Sequence, residues 1–151
     1  MTLIWIQTQL ARDLRAFEVE LDRFADEAQI WATLPGVNNP AGTLALHVSG
    51  NLQHFVGAVL GGTGYVRDRP REFSTRGLSR AELKTELQRA LAVVETVLPK
   101  FDEARLEQDY PEAVEGAPIA TGLFLLRLVA HLSLHLGQAG YLRRMLEGEK
   151  N

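Results

Sequence analysis

IATGLFLLRLVAHLSLHLGQAGYLRRML, residues 119–146, is the stretch that decides the fold. It reads as one long apolar helix, with no strand-like alternation. Two histidines interrupt the apolar pattern. His131 and His135 are four apart, which at 3.6 residues per turn sets both imidazoles on one face, a turn apart. Ring nitrogens so placed can chelate one divalent metal with little side-chain entropy left to lose.

Outward from that helix, three more amphipathic segments appear. Residues 3–31 place Ile6, Leu10, Leu14, Phe17, Leu21 and Phe24 at spacings of three and four, with Arg12, Arg15, Glu18 and Asp22 on other faces. Leu34-Pro35-Gly36-Val37-Asn38-Asn39-Pro40 stops it. Thr43 can cap a second helix over 43–60, which carries Leu44, His47, Val48, Asn51, His54 and Phe55 along one side. Gly61-Gly62-Thr63-Gly64 ends it. The third helix opens on Ser79-Arg80-Ala81-Glu82, a capping box, and buries Leu83, Leu87, Leu91, Val94 and Leu98. Residues 101–118 read as loop. The last helix finishes in Arg143 and Arg144, which suit a C-terminal dipole.

Four such segments predict an all-α four-helix bundle in a single domain, residues 1–151. Residues 61–78, expected to be irregular, are long enough to cross the bundle, so helices 2 and 3 are expected to run parallel, joined by a crossover. A hydrophobic share of 46% and a charged share of 23% are ordinary for a soluble domain. A net charge of -3 gives no pull toward nucleic acid or an anionic membrane surface. With no cysteine, disulfides, thiolate ligands and a cysteine nucleophile are excluded, and a reducing cytoplasm is the expected setting. No signal peptide and no membrane span are expected.

All four histidines fall in two helices. His47 and His54 share a face, but seven residues separate them by about 10.5 Å along the axis. Both cannot reach one ion, and Asn51 beside His47 makes His47 the better ligand on local polarity. HxxxH alone is a weak motif, since a histidine on an apolar helix is usually a hydrogen-bonded core or surface residue. Two facing helices, each with an inward histidine, strengthen it, because bundle cores often hold metals. Leu132, Ser133 and Leu134 stand where a zincin glutamate would be, which removes the metalloprotease reading. Arg67, Arg69 and Arg71 could clamp a carboxylate or phosphate, although local Arg–Asp and Arg–Glu pairs or a subunit contact account for them more simply. Ser49 and Ser133 form no arguable nucleophile set.

Residues 44–52, LALHVSGNL, together with His131-Leu132-Ser133-Leu134-His135-Leu136-Gly137-Gln138 and Leu142-Arg143, resemble the DinB/YfiT-like family of metalloenzymes over nearly the whole chain. That resemblance implies a left-handed up-down-down-up bundle, and His47, His131 and His135 as ligands of a divalent ion, zinc or nickel. It further implies a homodimer, and a metal-dependent transferase or hydrolase acting on a small-molecule thiol and an electrophilic substrate. Characterised relatives include thiol-dependent S-transferases and a maleylpyruvate isomerase using mycothiol or bacillithiol. Asn51 or Gln138 would orient ligands or substrate from behind. The alternative function is a non-catalytic, stress-related binding or interaction bundle.

Overall fold

A computed structural model describes residues 2–149. The fold is all-helical, with six α-helices and, among the described residues, no β-strand beyond two isolated bridges, Asp109 with Ala120 and Val114 with Ala117. Helix α1, Thr2–Arg23, buries Leu3, Ile6, Leu10, Leu14, Phe17 and Leu21, the stripe its periodicity predicts. It does not continue to residue 31. Asp26 turns its side chain onto the Gln29 N–H at 2.8 Å and starts the separate short helix α2, Glu27–Ile30. A side chain able to replace a backbone acceptor favours a new N-terminus over a continued helix.

Helix α3, Ala41–Leu52, opens at Pro40 rather than at Thr43. Thr43 is buried inside the first turn, where its hydroxyl accepts from Arg76 Nη1 at 3.2 Å. In that early turn Gly42 lies against Trp31. A Cβ at Gly42 would stand 2.8 Å from the indole ring. From Gln53 to Leu60 the helix widens into π-helical turns. The predicted irregular crossover contains a further helix, α4, Arg69–Ser74, capped by Asp68 Oδ1 on the Arg71 N–H at 3.1 Å with Pro70 in the first turn. Helix α5, Arg80–Val97, starts with the expected capping box. Ser79 Oγ accepts from the Glu82 N–H at 3.1 Å, and Glu82 Oε2 from the Ser79 N–H at 2.7 Å.

Two short 3-10 turns, Leu98–Lys100 and Glu103–Glu107, occupy the approach to the last helix. That helix, α6, spans Thr121–Glu149. Because it runs past Leu146, Arg143 is not a terminal cation. It is buried and pairs with Glu20 of α1 and with Glu147.

The long helices meet in a fixed order. Against α5, α1 pairs Glu18 with Gln88 and Asp22 with Lys84, so residue numbers run in opposite senses. Against α6 it pairs Asp13 with Ser133 and Glu20 with Arg143, in the same sense. The α3 side meets α5 at Gly57–Val93 and Gly61–Val97, and meets α6 at His47–His131 and Phe55–Phe124. Phe17, Leu21, Leu52, Leu87, Leu125 and Leu132 are among the side chains that fill the space between them. No described helix is long and apolar enough to cross a membrane.

Candidate metal centre

His47 projects from α3, and His131 and His135 from one face of α6, because α3 and α6 pack with their inward stripes facing. His47 Nε2 lies 3.0 Å from His131 Nε2, and His131 Nε2 lies 3.1 Å from His135 Nε2. Each of the three residues offers a ligand atom within 4.8 Å of the others, and the group could hold a metal ion. Imidazole nitrogens bound to a tetrahedral zinc ion sit about 3–3.5 Å apart, given bonds of about 2.0–2.1 Å.

Counting hydrogens tests whether the residues fit an ion. His47 Nδ1 lies 3.1 Å from Glu72 Oε1, and His135 Nδ1 lies 2.7 Å from Gln138 Oε1. Both oxygens only accept, so the neutral rings carry hydrogen on Nδ1 and leave a bare lone pair on Nε2. His131 Nε2 faces both lone pairs and owns at most one hydrogen. Three neutral imidazoles thus leave the centre short of positive charge, which a cation shared by the three Nε2 atoms would supply. Burial is the main cause that pushes the His131 pKa down to about 4, with His135, His47, Arg67 and Arg69 acting in the same direction. Burial likewise lowers His135, against the Gln138 hydrogen bond and with His47. His131 and His135 are therefore held neutral, the state that binds metals.

Glu72 is a residue that sequence reasoning missed. It reaches the centre from α4 and is 7% exposed. Burial pushes its carboxyl up, but hydrogen bonds with His47 and Arg67 and the Arg67 charge outweigh that and hold it lowered. Arg67 grips both carboxylate oxygens, Nε to Oε2 at 2.8 Å and Nη2 to Oε1 at 2.9 Å. The local Arg–Glu pairing considered for the arginine-rich segment is thus what Arg67 does. Gly50 makes room for the carboxylate. A Cβ there would stand 2.7 Å from Glu72 Cδ and closer still to Oε2. The available signal was Asp68-Arg69-Pro70, a cap followed by an N-terminal proline, which turns residue 72 inward on a helix instead of leaving it in a loop.

The remaining expected residues divide. Gln138 does orient a histidine, as anticipated. Asn51 is buried with its Oδ1 unpaired among the described residues, and His131 Nδ1 is likewise unpaired. His54 stays away from the other three histidines. It lies on the π-helical stretch, whose wider turns carry it off the α-helical stripe, and its Nε2 meets Glu112 Oε2 at 3.2 Å. Ser133 donates to Asp13 at 2.5 Å and Ser49 to the Ala45 carbonyl at 2.7 Å, so neither is a poised nucleophile.

Residues 4–151 match the family DUF1572, described as a protein of unknown function. That family lies within the DinB-like superfamily. No curated protein matches the chain significantly.

Proposed function

The chain belongs to the DUF1572 family, and from that premise we propose a metal-dependent enzyme of the DinB/YfiT-like kind, with a divalent ion held by His47, His131 and His135. The observation that carries this reading is the convergence of three Nε2 atoms with too few hydrogens between them. Zinc and nickel both suit imidazole, and affinity order alone does not choose between them. A divalent ion with an open position supplies Lewis acidity, lowering the pKa of a thiol or water.

The chain's own residues set the conditions for that chemistry. Glu72 and Gln138 keep the His47 and His135 hydrogens on Nδ1, so that Nε2 faces inward. Arg67 keeps Glu72 ionised and in place. Phe73 packs its ring 4.9 Å from that of His47. The substrates are a small-molecule thiol and an electrophile, which the centre would bring together as a transferase, or an electrophile and water, as a hydrolase.

The same reading takes the four long helices as an up-down-down-up bundle, supported by the order of their contacts. It places the protein in the cytoplasm. It also makes the protein a homodimer, for which exposed apolar side chains on adjacent α1 and α6 speak, Trp5 at 65% and Tyr141 at 69% among them. Those side chains equally favour a second function, a non-catalytic interaction bundle. Sedimentation at the monomer mass of 16.8 kDa at micromolar concentration removes the dimer. The decisive test of the metal is analysis of untagged protein purified without added metal. One divalent ion per chain, absent from His131→Ala, is expected. Metal-free wild-type protein, or metal that survives His131→Ala, overturns the reading.

A further inference from the structure

Two arginines of the segment between α3 and α5 meet different fates. The Arg67 fork is filled by both oxygens of Glu72. Arg69, two residues on, is exposed and makes no hydrogen bond or ion pair among the described residues. It is nonetheless held in place. Its guanidinium carbon sits 5.0 Å from the centre of the Phe73 ring, and that ring lies 4.9 Å from His47. Arg69 is also near enough for its charge to act on the His131 ring.

Carboxylates of the surrounding segments take their hydrogen bonds elsewhere. Asp68 caps the Arg71 N–H, Glu72 is shared by Arg67 and His47, and Glu112 meets His54. A guanidinium resting on an aromatic face keeps its in-plane donors available, and their fork matches a carboxylate. The Arg69 fork is therefore left without a carboxylate partner among the described residues.

We propose that Arg69 is the anion subsite of the three-histidine centre, and that its substrate carries a carboxylate or similar anion beside the atom that approaches the imidazoles. This deepens the metal-centre reading and rests on it. It names a specificity-determining residue and a substrate class, small anionic molecules over neutral isosteres. Arg67, already matched, sets the position of Glu72 instead.

The test uses full-length protein loaded with cobalt(II) and two probes that differ in one charge, 3-mercaptopropionate and its methyl ester. Binding is read from thiolate-to-cobalt absorption at low ionic strength. The ratio of acid to ester affinity should be about tenfold higher in wild type than in Arg69→Gln, the loss of one charge-assisted contact. The acid's advantage should shrink with added salt. An acid-to-ester ratio unchanged by Arg69→Gln overturns the anion subsite while leaving the metal centre standing. Failure to bind cobalt, or failure of both thiols to perturb bound cobalt, overturns the centre and the subsite together.

Discussion

Two carboxylates in this fold are equally buried, Glu20 and Glu72 at 7% exposure each, and each is held by an arginine. Their surroundings separate a strut from a lever. Glu20 joins α1 to Arg143 of α6, with Arg23 at 3.3 Å on its other oxygen, and Arg143 spends a further donor on Glu147 at 2.8 Å. Every strong contact there ends in another charge. Glu72 instead passes its second contact to His47 Nδ1, and the opposite nitrogen of that ring faces His131. The same chemical pair thus ties two helices together in one place and orients a histidine of the candidate centre in the other.

The sharpest way to break the comparison is to remove the strut. Glu20→Ala leaves the buried Arg143 without its main partner, and should cost about 3 kcal/mol in urea unfolding. Metal affinity should stay within about twofold, since the pair makes no contact with the imidazoles. A variant that loses its metal while still folded would erase the distinction.

Glu72→Gln should do the reverse. It keeps the shape but not the charge behind His47, so metal affinity should fall about 10–100-fold in a chelator competition, with a smaller change in stability. Gly50→Ala should reproduce much of that loss, because a methyl group would displace the Glu72 carboxylate. If Gly50→Ala binds metal like wild type, the carboxylate has another seat and the lever is not needed.

A pH series on metal-free protein sharpens the contrast further. The His131 pKa is pushed down to about 4 in the fold, from an ordinary value of 6.5, mainly by burial. The unfolded chain therefore takes up the proton first. The contribution from neutral His131 is complete above about pH 6.5 and is lost as pH falls toward 4. His135, also lowered, acts in the same direction. Unfolding free energy should drop between pH 7 and 5, and His131→Leu should flatten that slope. An equal slope in the variant would assign the effect to other groups.

The smallest effect belongs to His54→Ala. Its partner Glu112 is about half exposed, so the pair is worth about 0–1 kcal/mol, and metal occupancy should not change. Metal analysis of His54→Ala beside His47→Ala checks which histidine of the α3 side matters.

Much of this was legible in residue order. The apolar stripes of α1 and α5 follow from spacing, and the Ser79–Glu82 capping box is a local motif whose two hydrogen bonds close within four residues. His131 and His135 share a face because helix geometry alone sets that relation. Spacing along one helix also set His47 apart from His54, while the π-helical turns that carry His54 off the stripe were not readable from it. Where short-range competition was misread, the cause is equally local. Asp26 ends one helix and caps another, and Asp68 with Pro70 opens a helix inside an apparent loop.

Only the tertiary structure decided that His47 approaches to 3.0 Å of His131, that Glu72 lies behind His47, and that Gly50 admits it. These contacts join residues 84, 25 and 22 positions apart, between helices whose relative placement no local periodicity contains. The same holds for Arg143, which looked like a terminal cation until α1 brought Glu20 against it. Spacing along one helix fixes which side chains share a face, because the backbone hydrogen bonds repeat. Which faces meet, and at what height, depends on how all the buried side chains pack at once.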